Sequence, residues 1–404
     1  MIHTLPVTRF ILLPLAMVLP LAIAAPLGAQ APGVQRLGGQ GRNMPPPTER
    51  DVHYGPHERN VLDFWQAKSS QPTPVLVSIH GGAFRMGDKS VGTALLKDCL
   101  DGGISVVAIT YRFSQQAIAP ASFDDSARAV QFVRSRAKEW NIDPQRIAAT
   151  GGSAGAGMSL WLGFHDDMAD PNSDDPVRRE STRLTCMAVT EGQTSYDPRF
   201  IRTLFPEKEV YRIPPVAQLF GIDINELDKL PAEKYKLFEA CSPINFVTKD
   251  DPPALLVYSR PLEAEVTELS IGIHHPRFGK ELKEKMDALE IPCEVDAGGV
   301  RLGGGNPTRV IAFLKQNFGL PVSDAERTPA PPLAVFRAAD AQGPGEQFRY
   351  WDRDRDGKLT RDEVPEMVRG VFDQVDANHD GTISPEEDRN FRGRIQNRPN
   401  QSGP

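Results

Sequence analysis

Between residues 51 and 320 the chain alternates apolar runs of strand length with amphipathic stretches. Val75–His80, Ile104–Thr110, Arg146–Thr150, Leu184–Thr190 and Ala254–Tyr258 read as buried strands of differing strength. From Ser126 to Trp140, apolar Ala127, Val130, Val133 and Ala137 recur at helical spacing, and a second helical stretch runs from Phe278 to Leu289. Apolar strands separated by helices predict an α/β domain: a doubly wound, mainly parallel sheet with helices on both faces. The stretch from Phe200 to Leu237 breaks this rhythm and predicts a small helical cap inserted in the sheet's connections.

The ends of the chain have a different character. Arg9 is the only Lys or Arg among the first 35 residues, and an apolar run from Phe10 to Ala25 follows it, interrupted by Pro14 and Pro20. Small residues come next. This is the order of a cleavable secretory signal, and the run is short for a membrane span of about 20 residues. Residues 1–29 are therefore expected to be a signal peptide, with cleavage after Ala24 or Ala29 both compatible, and the mature protein is expected to be secreted or periplasmic. Residues 30–50 and 321–345 are rich in Gly and Pro and lack periodicity, which predicts linkers on either side of a domain at 51–320.

Composition narrows the function classes. Hydrophobic residues at 40% and charged residues at 25% are ordinary globular usage, which excludes a largely disordered chain or a multi-span membrane protein. A net charge of −7 argues against a broad nucleic-acid-binding surface. Export permits disulfides, but Cys99, Cys186, Cys241 and Cys293 are widely spread, and buried thiols and one structural bridge both fit.

The first candidate chemistry lies at Gly151-Gly152-Ser153-Ala154-Gly155, a G-x-S-x-G run that follows a predicted strand and enters the helix-compatible stretch Met158–Phe164. A serine in so tight a strand-to-helix turn is exposed at the helix N-terminus, where a nucleophile is useful. Earlier, His80-Gly81-Gly82-Ala83-Phe84 ends a strand. Adjacent glycines there can turn backbone N–H groups toward a developing oxyanion, joined by the N–H of Ala154. His80 itself is read as structural. Together with the Val61–Phe64 strand and the acidic pair Asp124–Asp125, these turns resemble the α/β-hydrolase fold, specifically hormone-sensitive-lipase-like and feruloyl-esterase-like carboxylesterases, over roughly residues 51–320.

The resemblance implies a triad in the chain order Ser, acid, His, with the histidine in a Gly-rich turn after the strand near residues 291–295. Here that turn reads Asp296-Ala-Gly-Gly-Val300-Arg-Leu302, and no histidine occurs between His275 and His379. A serine hydroxyl is a poor nucleophile without an acceptor for its proton. His274 or His275 is a substitute base, and Glu263 or Glu265 a substitute acid. The candidate catalytic set is Ser153, Gly81, Gly82 and Ala154, with Glu263 and His275 standing for the rearranged triad. Glu191, at the end of the strand Leu184–Thr190, is read as a loop carboxylate.

The last segment carries two loops of one design. The first has Asp352, Asp354, Asp356, Gly357, Lys358, Thr360 and Glu363, the second Asp376, Asn378, Asp380, Gly381, Thr382, Ser384 and Glu387. These fill positions 1, 3, 5, 6, 7, 9 and 12 of the EF-hand template: oxygen side chains at 1, 3 and 5, glycine at the sharp turn, a backbone carbonyl from Lys358 or Thr382, and a bidentate glutamate last. Leu359 and Ile383 at position 8 suit a short strand pairing between the loops. Val364, Met367, Val368, Val371, Phe372 and Val375 make one apolar helical face, so a single shared helix is expected between them. Such compactness resembles bacterial extracellular EF-hand pairs and, loosely, dockerins. From Glu346 to Arg394 there are 13 acidic and 9 basic residues, a net −4, which two bound Ca²⁺ would offset. The expected small all-α module, residues 346–396, thus holds two Ca²⁺ sites of structural type.

Two functions follow. One is a secreted, calcium-binding serine carboxylesterase acting on small acyl esters or carbohydrate esters. The other is a catalytically degenerate hydrolase domain used for binding or scaffolding, with an extracellular protein or polysaccharide as partner. No nucleic-acid partner is expected, and no membrane association after signal cleavage.

Overall fold

The computed structural model describes residues 44–298, 307–323, 348, 356–364 and 372–396. The expected signal peptide and most of both linkers lie outside these residues. Eight strands form one sheet: β1 (Glu49–His53), β2 (Val61–Trp65), β3 (Thr73–Ile79), β4 (Ser105–Ile109), β5 (Ile142–Gly152), β6 (Cys186–Thr190), β7 (Ala254–Tyr258) and β8 (Cys293–Ala297). Their order is β1-β2-β4-β3-β5-β6-β7-β8. The pairs β1–β2 and β2–β4 are antiparallel, and every pairing from β4 through to β8 is parallel. Strands β2, β3, β4 and β7 are buried along their whole length, so both faces of the sheet are covered. The outermost strands are partly exposed and more polar, as sheet edges require.

β1 begins inside the span expected to be linker. Residues 45–50 have no apolar periodicity, yet the Thr48 N–H donates to Phe64 O at 2.7 Å and Trp65 Nε1 donates to Pro45 O at 2.9 Å. A polar edge strand owes its place to ladder bonds, which periodicity does not report. The helix expected from Ser126 spans Ala121–Ser135 instead (α2; α1 is Thr93–Asp101). Its expected last turn is displaced, because Trp140 leaves the helix to stack on Phe64, with ring centroids 4.3 Å apart.

α3 (Ala154–Phe164) is buried at every position and packs against α2 and β5. Between β6 and β7 the chain forms α4 (Pro198–Leu204), α5 (Pro214–Leu219) and α6 (Ala232–Cys241), the expected helical cap. The cap is tied to the loop after β4, where the Ala119 N–H donates to Leu219 O at 2.7 Å. α7 (Leu269–Ile273) and α8 (Arg277–Ala288) lead into β8, and α9 (Pro307–Asn317) packs on α1. All four cysteines are buried and unpaired. Burial pushes their thiols up, to about 12 at Cys241 and Cys293. Among the described residues no helix is long and apolar enough to cross a membrane.

The C-terminal segment has its own small core of Phe348, Leu359, Val364, Phe372, Val375 and Ile383. Two short strands, β9 (Leu359–Thr360) and β10 (Thr382–Ile383), pair antiparallel with Leu359 opposite Ile383. α10 (Phe372–Val375) and α11 (Pro385–Gln396) flank the second loop. The middle of the expected shared helix, and with it Met367, Val368 and Val371, lies outside the described residues.

One ion pair anchors the loop after β4. The Arg112 guanidinium meets both carboxylate oxygens of buried Asp125, at 2.7 to 3.1 Å, and the Arg112 N–H adds a bond at 2.8 Å. Removing Asp125 leaves the Arg112 guanidinium, whose side chain is 31% exposed, without its bidentate partner and takes away the acceptor of the Arg112 N–H. Asp125→Ala is expected to lower the unfolding free energy by about 1.5–3 kcal/mol, the scale of lost hydrogen bonds to a charged group, read by urea denaturation. A loss below about 1 kcal/mol, the range of a surface pair, would contradict this role.

Candidate active site and metal loops

The loops that follow β3, β4, β5, β6 and β7 gather at the carboxyl edge of the parallel strands, where open α/β sheets place their sites. Ser153 stands between β5 and α3 with φ 53° and ψ −117°. A non-glycine residue in that region costs of order 1–3 kcal/mol and persists only where its surroundings over-determine it. Here the Ser153 N–H donates to Thr190 O at 3.0 Å, and Ser153 O accepts from the Gly157 N–H. A Cβ on Gly155 would lie 2.0 Å from Ile79 O, so only glycine lets α3 come this close to β3. The small residues of the G-x-S-x-G run are thus needed where helix and sheet touch.

The glycine turn after β3 is this site's neighbour. A Cβ on Gly81 would sit 3.7 Å from Ser153 Cβ. Gly82 has φ +108°, and Ala83 and Phe84 follow at 54° and 60°. Phe84 holds the turn by packing its buried ring on Phe123 and Tyr196, both at 5.9 Å. Among the described residues neither the Gly82 N–H nor the Ala154 N–H has an acceptor. Both are free to receive an oxyanion.

His80 supports the turn from below. Its Nδ1–H donates to Gly81 O at 2.6 Å, its ring stacks on Tyr111 at 4.3 Å, and its buried Nε2 has no partner. Burial pushes its pKa down to about 4.

The residue against Ser153 is His274. Ser153 Oγ lies 2.8 Å from His274 Nε2, and His274 Nδ1 lies 2.8 Å from the carbonyl oxygen of Ser270. That carbonyl can only accept, so the proton sits on Nδ1 and the Nε2 lone pair faces the serine hydroxyl. His274 caps the C-terminal end of α7, which sets its ring one turn above Ser270.

His275 is not part of this contact, which corrects the expected pair. It is fully buried, its Nε2–H donates to Ala264 O at 3.0 Å, and its Nδ1 accepts the Arg277 N–H. Adjacent residues at a helix end point in different directions, so only one of the two can reach the serine. Burial lowers the pKa of His275. Glu263 and Glu265 are exposed, and neither bonds to His274, so among the described residues no side-chain acid completes a triad there. Sequence gives no signal for this arrangement, because the group that orients His274 is a backbone carbonyl.

Glu191 is more than a solvated loop carboxylate. It stands at φ 52°, and its Oε1 accepts the Ser259 N–H at 2.8 Å. Two residues on, buried Gln193 donates from Nε2 to Glu191 O and Ile273 O, each at 3.0 Å. Gln193 has no signal in the sequence, since a lone glutamine after a strand carries no pattern.

In the C-terminal module the second loop is described in full. Gly381 has φ 83°, as the sharp turn demands. Asp376 accepts the N–H groups of Asp380 and Gly381. Glu387 accepts Ala377 N–H and Asn378 N–H on one oxygen, and the Ser384 N–H and hydroxyl on the other. Asp376 and Glu387 are both buried. Asp380 accepts from the Thr382 N–H and hydroxyl, at 2.9 and 2.7 Å. Of the first loop, Asp356, Lys358 and Glu363 are described, and Glu363 Oε2 takes the Thr360 N–H and hydroxyl just as Glu387 takes those of Ser384. Asp352 and Asp354 lie outside the described residues. Among those described, no group of three or more His, Cys, Asp or Glu side chains already converges on one point. The donor set is oxygen throughout, which fits a hard cation such as Ca²⁺.

Comparison with known proteins bears on the two parts of the chain. Residues 62–261 match the BD-FAE family, and residues 346–365 and 367–391 match the EF hand. The chain is similar to esterase LipQ of Mycobacterium tuberculosis, 28% identical over 213 residues, covering 52% of this chain and 47% of that one. It is also similar to esterase LipC of the same organism, 26% identical, covering 52% and 50%. The chain thus spans about half the length of these relatives. Among solved structures, a truncated form of a carbohydrate esterase from gut microbiota shares the fold, with a TM-score of 0.53, 22% identity, and coverage of 67% of this chain and 96% of that one.

Neutral His80 makes the stability of this edge depend on pH. Its folded pKa lies below the unfolded value, so the stability tied to it is complete above pH about 6.5 and is lost as pH falls toward about 4, up to roughly 3 kcal/mol. His80→Gln removes that titration. The unfolding free energy of the native protein should therefore fall relative to the variant across this window. A difference between the two that stays constant with pH would refute it.

Proposed function

Since the hydrolase domain belongs to the BD-FAE family of esterase-type α/β-hydrolases and the C-terminal segment to the EF hands, we propose that this chain is a calcium-binding serine carboxylesterase worked by Ser153 and His274. The observation that carries the proposal is the 2.8 Å contact of Ser153 Oγ with His274 Nε2, with the tautomer set by Ser270 O. A general base within hydrogen-bond reach of the hydroxyl, itself held by a third group, is the arrangement nucleophilic catalysis requires.

Each step has a residue. Ser153 Oγ attacks the ester carbonyl carbon and its proton passes to His274 Nε2. The carbonyl oxygen becomes an oxyanion facing the Gly82 and Ala154 N–H groups, which are fixed before the reaction starts. As the C–O bond to the alcohol breaks, His274 returns the proton to the departing oxygen. A water then gives its proton to Nε2 and attacks the acyl-serine, and the same proton restores Ser153 as the acid leaves. Ser270 O holds the imidazole in place but is neutral. It stabilises the imidazolium less than a carboxylate would, so turnover below that of a complete triad is expected.

The substrates proposed are acyl or carbohydrate esters. The degenerate reading rested on the missing histidine after β8, and a histidine already seated on Ser153 favours the active one. Bound Ca²⁺ would neutralise the clustered carboxylates of the two loops, held by Asp352, Asp354, Asp356, Lys358 and Glu363 in one and Asp376, Asn378, Asp380, Thr382 and Glu387 in the other. The N-terminal pattern supports export of the chain.

Initial rates with p-nitrophenyl acetate test the pair. Ser153→Ala and His274→Ala are each expected to lower kcat by about 10³-fold or more. Glu263→Gln should stay within about twofold of the native rate, roughly 0.4 kcal/mol. Equal rates for the native protein and Ser153→Ala would end the proposal. Limited proteolysis in calcium and in chelator tests the loops: faster cleavage within residues 346–396 is expected without calcium, and equal lifetimes would remove the two-site reading.

A further inference from the structure

The loop from Ser259 to His274 carries the base, and three consecutive residues at the exit of β6 grip it and the strand end that leads into it. Glu191 Oε1 accepts the N–H of Ser259, where the loop starts. Gly192 O accepts the hydroxyl of buried Tyr258, the residue before it, at 2.7 Å. Gln193 Nε2 donates to the carbonyl of Ile273, the residue before His274. Both partners of the Gln193 amide nitrogen are carbonyl oxygens, so the orientation of the amide is settled. The same strand exit holds the nucleophile, because the Ser153 N–H bonds Thr190 O.

We propose that Gln193 is a positioning residue, which fixes His274 against Ser153 from the strand that also fixes Ser153. The proposal rests on the Ser153–His274 reading. It explains how an exposed loop keeps the base in register where, among the described residues, no side-chain acid bonds its histidine. Gln193 is 3% exposed, so its two bonds compete with no solvent. A base oriented by a carbonyl of its own short helix moves with that helix, and the Gln193–Ile273 bond stops the helix end from shifting. A displacement of about 1 Å in a reacting group can cost about 100-fold in rate.

The test compares Gln193→Met, which keeps shape and removes both donors, with Thr194→Val, which removes a neighbouring buried bond. The Thr194 hydroxyl donates to Phe278 O at 3.0 Å, so it ties down α8 and not the residue beside His274. The readouts are kcat and KM with p-nitrophenyl acetate, the rate of Ser153 labelling by a fluorophosphonate, and the low-field proton resonance of His274 Nδ1–H. Gln193→Met is expected to lower kcat and labelling by about 10- to 100-fold with KM within about twofold, and to move or broaden the resonance. Gln193→Asn, which keeps the donors on a shorter stem, should recover part of the loss. Thr194→Val should leave kcat and the resonance near native.

Equal losses in Gln193→Met and Thr194→Val would show a merely structural role and overturn the proposal, as would native kcat in Gln193→Met. Should Gln193→Met not fold, Gln193→Leu, of similar volume and likewise without the amide donors, carries the same comparison. Native rates in Ser153→Ala and His274→Ala would instead remove the reading beneath the proposal, so the two failures are distinguishable.

Discussion

The contact on which the rest of the site depends is that of α3 with β3. Gly155 lies so near Ile79 O that no side chain fits between them. This closeness forces the chain to reverse within one residue after β5, and that residue is Ser153 at φ 53°. The strain is balanced by the burial of all of α3 and by the bond from the Ser153 N–H to β6. The reversal sets the serine oxygen above the sheet edge, beside the glycine turn that leaves β3. The proposed nucleophile and oxyanion donors are therefore products of one packing event, and neither depends on the histidine proposed as base.

That independence lets the base arrive by another route. In the pattern the resemblance implies, the histidine follows the last strand; here it ends α7, between β7 and β8. What matters chemically is an unprotonated nitrogen within reach of the hydroxyl and an acceptor on the far side of the ring. Ser270 O supplies the acceptor without charge. A backbone carbonyl fixes a tautomer as well as a carboxylate does, because both accept and neither donates to Nδ1. It falls short in stabilising the cation, so positional control of the loop carries more of the burden.

The C-terminal module is built on a different economy. Among the described residues its core holds six buried apolar side chains, and its two loops are joined by a ladder two residues long on each side. Carboxylates that would repel one another are held by N–H groups of their own loops, with the sharp turn at Gly381 making this geometry reachable. Short-range repulsion among those carboxylates is what bound Ca²⁺ would relieve.

Much of this was legible in the order of residues. Unbroken apolar runs at β3, β4 and β7 declare strands buried on both faces, and the G-x-S-x-G run declares the elbow, because close approach tolerates only small side chains. The two loops declare themselves through ligand spacing, which is local and repeats. The absence of a histidine after β8 was visible too. Sequence could not say which of His274 and His275 meets Ser153, since that turns on the direction of one residue at a helix end. It also could not reveal Ser270 O as the orienting group or Gln193 as the clamp. One is a backbone atom that every residue owns, and the other acts across 80 residues on a carbonyl. Local chemistry and periodicity are written in the sequence; contacts made through the main chain exist only once the strands have paired and brought their ends together.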